Sequence, residues 1–365
     1  MLNSDDIEPD SISYGGVLDA WSHSGTEDSL AKVKQIFQHM RGLYESGKNI
    51  KPSIRNVNTM INAHAKVASQ LAMNRGRGSS DKAIKYAEDA HDLKKQMDAI
   101  YQKTGDIDFA PDVTTYTSVI DAYSRCGSPK STKEAENLLE ELKSLYQKTK
   151  NPNLRPNVRT YTSLISCWSR TRVKESPRKV QALLEEMRDN PATQPNSHTY
   201  TAVIQTWARS LDNNKAREVL KVLREMQDLH KKTGGDDVRP NVLTYNAAMH
   251  ACGSCHGTME QQTEALKIAF AILKTIEIDE FVRPNQVTYS TLLAAVAALL
   301  PAGDERNKVA KAVFEKSKNA GLVSPTTMKN FRKSVDASVM QELGIGGSGA
   351  QDYNNIPNSW SKNVR

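Results

Sequence analysis

Four residues could hold a haem or a metal by type and spacing alone. Cys252-Gly-Ser-Cys255-His256 has the spacing of a c-type haem attachment site. The same two thiols with His250 or His256 offer zinc a partial ligand set. Neither reading completes itself, because no second cysteine pair exists for zinc and no other feature suggests a haem axial ligand. Cys126, Cys167, Cys252 and Cys255 are also too few for a disulfide framework in 365 residues, which favours a reducing compartment. No phosphate-binding glycine loop, nucleophile elbow or His-Glu-x-x-His motif occurs. After residue 326 there is neither His nor Cys, so a deaminase-type zinc site has no ligands there. The expectation is a chain that is not an enzyme, with no cofactor, no metal and no small-molecule substrate.

A second set of residues carries hydrogen-bonding chemistry at a repeated spacing. The phrase is Pro, then Asp or Asn, two residues more, Thr-Tyr, then a small polar residue. It stands at Pro111-Asp112-Val-Thr-Thr-Tyr116-Thr117, Pro156-Asn157-Val-Arg-Thr-Tyr161-Thr162 and Pro195-Asn196-Ser-His-Thr-Tyr200-Thr201. It recurs at Pro240-Asn241-Val-Leu-Thr-Tyr245-Asn246 and Pro284-Asn285-Gln-Val-Thr-Tyr289-Ser290. Degenerate copies lie at Pro9-Asp10-Ser-Ile-Ser-Tyr14-Gly15 and Pro52-Ser53-Ile-Arg-Asn-Val57-Asn58. Counting from the residue after Asp or Asn, units start near 11, 54, 113, 158, 197, 242 and 286, with a weak eighth start at 327. Seven copies of one phrase mark an array of structural repeats.

The elements that must position these side chains are helices. Asp or Asn caps a new helix, and the preceding Pro stops an earlier helix from running through. The first helix of a unit then shows apolar residues at helical spacing, as in Tyr161, Leu164, Ile165 and Trp168. The second is amphipathic: Ala135, Leu138, Leu139, Leu142 and Leu145 make one stripe, while Glu134, Glu136, Glu140 and Lys143 face outward. One hairpin cannot bury both apolar faces, so neighbouring hairpins must stack. In this register Cys252 shares the column of Trp168 and Trp207, and Cys255 shares that of Cys126, which gives both thiols a packing role. The basic, glycine-rich stretch 74–80 is expected as a loop inside the second unit, and 344–365 as a poorly ordered tail.

The phrase resembles the pentatricopeptide repeat, over roughly residues 9–333, with 334–365 left as a C-terminal tail. The tetratricopeptide pattern of Trp, Leu-Gly and Tyr does not fit. The resemblance implies an all-α, right-handed α-solenoid whose first helices line an inner groove. It also implies single-stranded RNA as partner, one base per repeat, read by the fifth residue of a unit and by its last. On those terms the pairs are Asn58 with Asp112, associated with U, then Thr117 with Asn157, Thr162 with Asn196 and Thr201 with Asn241, each associated with A. Asn246 with Asn285 is associated with C or U, while Gly15 with Ser53 and Ser290 with Thr326 leave the familiar combinations. The implied core is 5′-U-A-A-A-C/U-3′. The second residue of each unit packs on the base, which selects Thr114, Arg159, His198, Leu243 and Val287, with Arg55 as a further candidate. A basic column at position thirteen, His23, Lys66, Arg125, Arg170 and Arg209, suits phosphate; Ser254 and Ala298 follow it in the last units. A cation near a helix C-terminus also compensates the helix dipole, so both roles stand together.

The balance of 49 Lys and Arg against 42 Asp and Glu gives a net charge of +7, consistent with a polyanionic partner. No apolar run approaches the ~18 residues that a membrane span requires, and 292–300 is expected as a buried helix ending at Pro301. Met1–Asp10 is acidic, without a secretory apolar core or an Arg-rich presequence. That leaves either a protein that is not imported or a chain lacking its native N-terminus. The family resemblance implies organellar RNA processing, stability or translation, with the mitochondrion ahead of plastid or cytoplasm. A helical-repeat scaffold for protein partners is the competing class.

Overall fold

The computed structural model describes residues 9–73, 79–343 and 356–364. Most of the stretch expected as a basic loop, 74–78, and most of the expected tail, 344–355, lie outside them. The described residues are helical, with no strand among them, and the chain divides into two compact units, Met1–Gln194 and Pro195–Arg365.

The first unit holds four hairpins. They are α1 (Ser11–Ser22) with α2 (Glu27–Glu45), α3 (Ile54–Met73) with α4 (Ser79–Thr104), α5 (Val113–Cys126) with α6 (Pro129–Thr149), and α7 (Val158–Thr171) with α8 (Ser176–Asp189). Each first helix packs on the next first helix, α1 on α3, α3 on α5 and α5 on α7, and α2, α4 and α6 each fill the space behind two first helices. This two-layer stacking is that of an α-solenoid. The second unit is built the same way from α9 (Ser197–Arg209), α10 (Lys215–Thr233), α11 (Val242–Gly253), α12 (Met259–Ile278), α13 (Gln286–Leu299) and α14 (Asp304–Asn319). It continues through α15 (Pro325–Ser334), α16 (Ala337–Glu342) and α17 (Asn358–Ser361).

The phrase earns its recurrence through local chemistry. Asp112, Asn157, Asn196, Asn241 and Asn285 each accept from the backbone N–H of the Thr three residues on, at 2.8, 3.1, 3.0, 3.0 and 3.0 Å. Those bonds satisfy donors that a helix start leaves free. In the second unit of the array the polarity is reversed, with Ser53 N–H donating to Asn56 Oδ1 at 2.9 Å. The recurring Tyr is buried each time, and its hydroxyl needs a partner. Tyr116, Tyr161 and Tyr200 donate to Glu141, Glu186 and Glu225 at 2.6, 2.7 and 3.0 Å. Burial, followed by the facing Glu141 carboxylate, pushes the Tyr116 phenol well above its ordinary range.

A lysine from the preceding second helix closes each of two clasps. Lys94 Nζ lies 2.5 Å from Glu141 and 4.4 Å from the Tyr116 ring centre. Lys143 Nζ lies 2.6 Å from Glu186 and 5.4 Å from the Tyr161 ring centre. The outward placement expected of Glu136 and Lys143 is therefore corrected: their side chains are only 19% and 18% exposed. Both are drawn sideways onto the next second helix, Glu136 to Lys179 at 2.7 Å and Lys143 to Glu186.

Two differences concern the C-terminal end. The eighth helix start falls at Pro325, where Ser324 Oγ caps the N–H of Thr327 at 3.1 Å. Ser324 thus occupies the capping place that the sequence register gave to Thr326. Residues 356–364, expected as tail, dock on the last hairpin. Trp360 meets Phe314 edge-on at 5.9 Å, its carbonyl accepts from Val323 N–H at 2.8 Å, and Phe314 stacks on Phe331 at 4.1 Å. A lone indole outside any periodic stripe gave no sign of this, although burying its ring is what holds the segment down. The run 292–300 is the buried helix α13 as expected, ending before Pro301.

Candidate nucleic-acid interface

The first helices α5, α7, α9, α11 and α13 begin with the same arrangement of side chains. The capping residue lies at the helix mouth, and the side chain at position two points out. Ile12, Leu243 and Val287 are 82%, 64% and 46% exposed there, and Thr114, Arg159, His198 and Arg55 are exposed too. Apolar side chains held in water at one repeated place are unusual in a packed array. Ile12 belongs to this column, although only the register, and no residue type, pointed to it.

Position five sits deeper. Asn58, Thr117, Asn246 and Ser290 are buried, and Thr162 and Thr201 are partly exposed. The structure brings each within reach of the next unit's helix start in most cases. Asn58 Nδ2 lies 3.5 Å from Asp112 Oδ1, and Asn246 Nδ2 donates to Asn285 Oδ1 at 3.2 Å. Thr117 and Thr201 reach their partners indirectly. The Thr117 hydroxyl lies 2.7 Å from Thr160 Oγ1, which itself lies 3.2 Å from Asn157 Oδ1. Thr201, Thr244 and Asn241 repeat the chain at 2.7 and 3.2 Å. Thr162 lies in the first compact unit and Asn196 in the second. Ser290 turns its hydroxyl back to the Val287 carbonyl at 3.1 Å.

Asn157 and Asn241, by contrast, are exposed, and their side-chain geometry is fixed by the cap. Because Oδ1 faces backbone donors, Nδ2 must face outward as a donor. Asp112 is capped through the same Oδ1, so its other oxygen presents an acceptor.

Around the second and third helix starts these features enclose one space. A pocket of about 360 Å³ is lined by Arg55, Asn58, Asp112 and Thr114. The pair expected to read a base and the position-two side chains of two consecutive repeats all line it, with Asp19, which pairs with Arg55 at 3.3 Å. A neighbouring groove of about 500 Å³ in the same unit is lined by Asp19, His23, Lys66, Asp121, Arg125 and Arg159. In the second unit a groove of about 650 Å³ is lined by His250, Ser254, Val287, Ser290, Thr326 and Val364.

The basic column is not uniform in its attachments. Arg125 pairs with Asp121 at 3.2 Å, one turn earlier on its own helix. Arg170 is exposed and donates to the Ser124 carbonyl at 2.8 Å, near the C-terminus of the preceding first helix. That contact is the dipole-compensating one. Lys66 is half-buried in the groove wall, and Arg209 is exposed. In the last units the equivalent places hold Ser254 and Ala298, so the groove there has lost its cations.

The cysteines take the packing places expected of them. Cys126 donates to Ala83 O at 3.5 Å within α4, and Cys255 to Asn213 O at 3.4 Å just before α10. Cys252 is fully buried, and burial pushes its thiol up to about 12.

Part of the chain also matches a family model. A model described as the pentatricopeptide repeat domain matches residues 144–207 and 182–255, the stretch where the phrase is most regular. Residues 144–255 are thus similar to the pentatricopeptide repeat domain. No curated protein matches it. Among solved structures it is similar to the pentatricopeptide repeat protein PPR10 from maize, at 14% identity and a TM-score of 0.25, covering 98% of this chain and 62% of that one. A structure of PPR10 in complex with an 18-nt psaJ RNA element gives 16% identity and a TM-score of 0.29, with 96% and 58% covered. The chain thus spans less than two thirds of the length of those structures. Among the described residues, no helix is long and apolar enough to cross a membrane.

Proposed function

We propose that this chain is a pentatricopeptide repeat protein that binds single-stranded RNA sequence-specifically, one base per repeat, with the core 5′-U-A-A-A-C/U-3′. The observation that carries the reading is the open pocket lined in part by Arg55, Asn58, Asp112 and Thr114. A base entering it meets Asn58 and Asp112 at its edge and a position-two side chain against each face. Stacking of this kind contributes about 1–3 kcal/mol per base and tolerates any sequence. Specificity must then come from the edge.

The caps make that edge readable. Asp112 offers only acceptors, which suit the N3–H of uracil and repel the unprotonated N3 of cytosine. The outward Nδ2 of Asn157 and Asn241 is a donor, which suits the N1 of adenine and opposes the N1–H of guanine. This polarity argument supports U for the second unit and A for the third and fifth. The phosphate role of Lys66, Arg125, Arg170 and Arg209 follows from their recurrence along one face, at the far end of the same helices. RNA occupancy itself would be the mechanism, by shielding a segment or keeping competing structure open. Organellar RNA processing, stability or translation in the mitochondrion is the setting the family resemblance implies.

Fluorescence anisotropy with the core oligomer and a scrambled oligomer of equal length tests the reading. Tighter, salt-sensitive binding of the core is expected. Equal affinities would remove the sequence-specific claim. Salt-insensitive peptide binding without RNA affinity would replace it with a protein scaffold.

A further inference from the structure

The threonine of each Thr-Tyr pair is buried completely, with Thr160, Thr244 and Thr288 all at 0% exposure. None can touch RNA. Yet these three lie between the last residue of one unit and the fifth residue of that same unit. Thr244 Oγ1 is 3.2 Å from Asn241 Oδ1 and 2.7 Å from Thr201 Oγ1. Thr160 stands likewise between Asn157 and Thr117, at 3.2 and 2.7 Å. Thr288 Oγ1 reaches Asn285 Oδ1 at 3.1 Å and Asn246 Oδ1 at 2.8 Å.

We infer that these threonines are positioning residues that set the hydrogen-bond polarity of both readers, an inference that rests on the RNA reading proposed above. A hydroxyl has one proton and two lone pairs. Asn241 Oδ1 can only accept, and it takes the Leu243 and Thr244 backbone N–H groups. With the Thr244 hydroxyl proton directed to it as well, Thr201 donates its own proton to Thr244 Oγ1. What Thr201 has left for a ligand is acceptor capacity, while Asn241 Nδ2 has only donors. An acceptor beside a donor complements the N6 amine and N1 of adenine. It mismatches the O6 and N1–H of guanine at both atoms. Without the buried hydroxyl, Thr201 could turn its proton outward toward the O6 of guanine, leaving only the Asn241 mismatch to reject that base.

The second unit is the informative exception. There the Thr115 hydroxyl lies 3.0 Å from Asp112 Oδ1, and Asn58 Oδ1 is buried without a hydrogen-bond partner among the described residues. The relay is complete where position five is bonded to the threonine, and incomplete where it is not.

The test uses the full chain with Thr244→Val, which keeps shape and removes the hydroxyl, and Thr244→Ser, which keeps the hydroxyl. Binding is measured to core oligomers carrying each of the four bases at the place addressed by Thr201 and Asn241. For the unaltered chain, adenine is expected over guanine by on the order of tenfold, as one to two hydrogen bonds of net worth would give. Thr244→Val should compress that ratio to about twofold at this place alone, leaving the preference at the Asn58–Asp112 place intact. Thr244→Ser should restore it. Unchanged discrimination in Thr244→Val overturns the inference, as does a uniform loss of affinity with all base ratios preserved, which would mark a purely structural role. Thr160→Val, read at the base addressed by Thr117 and Asn157, serves if Thr244→Val does not fold, and is judged by the same ratios. Absence of any base preference in the unaltered chain would sink the RNA reading itself, and the inference with it; the two failures are therefore distinguishable.

Discussion

Residue by residue, the interface divides labour between side chains that hold the helix start and side chains left free beside it. Asn241 caps α11 while Leu243, two residues on, stands 64% exposed. Nothing in the packing needs Leu243. Replacing it with Ala should leave the melting temperature within about a degree, since exposed substitutions seldom cost more than ~0.5 kcal/mol. RNA affinity should fall by about 1–3 kcal/mol. Anisotropy titration beside a thermal melt checks both, and a drop in stability with unchanged affinity would return Leu243 to the core. The capping residues were legible from the sequence because Asp and Asn recur at a fixed spacing before each first helix. The buried threonines were in view as part of the phrase, but their role was not, since a hydroxyl's proton direction depends on partners some 40 residues away, such as Thr201 for Thr244. Thr326 was misplaced for a related reason: Ser324-Pro325 supplies an equally good cap two residues earlier.

At the scale of the element, the hairpins were readable because both their signals are local, a cap and an apolar stripe. What joins one hairpin to the next was less so. Gly253 shows why. A Cβ there would lie 2.9 Å from Ala295 Cβ and 3.1 Å from Ala295 Cα, so α11 and α13 approach through a missing side chain. Gly253→Ala should destabilise the second unit by about 1–3 kcal/mol, measured by denaturant unfolding, because backbone must shift to admit it. No change would mean that α13 moves freely. The Lys94–Glu141–Tyr116 clasp makes a second prediction. Burial works against the Glu141 charge, but the Lys94 and Tyr116 hydrogen bonds outweigh it and hold its carboxyl below the ordinary 4.5. A carboxylate with a lowered folded pKa stabilises the fold above its unfolded value, and that stability is lost as pH falls through the folded one. Glu141→Gln should therefore lower stability at pH 7 and narrow the difference from the unaltered chain as pH drops below about 4.5. A difference independent of pH would assign the clasp to packing alone.

For the whole molecule, composition announced a basic repeat protein, and the periodic phrase announced how it is built. Length-wise the least legible part was the C-terminal segment, since Trp360 packs on Phe314 without any repeat to predict it. Charge along the array is graded: His23, Lys66, Arg125, Arg170 and Arg209 give way to Ser254 and Ala298. If about four of these cations meet phosphate, log affinity should fall against log salt with a slope of roughly −3. Replacing Arg209 with Ala should reduce the slope's magnitude by about 0.7, whereas an alanine at Ser254 should not alter it. Identical slopes for both variants would dissociate the column from the backbone.

The central claim is that each unit reads one base through the polarity of its two side chains, and exchanging a single atom tests it most directly. Asp112→Asn replaces the outward acceptor by a donor and keeps the α5 cap. Competition binding should then show the preference at that base moving from U to C, by about 1–3 kcal/mol in relative affinity, while every other base preference stays as it was. An unaltered preference for U, or equal losses across all bases, would contradict the account.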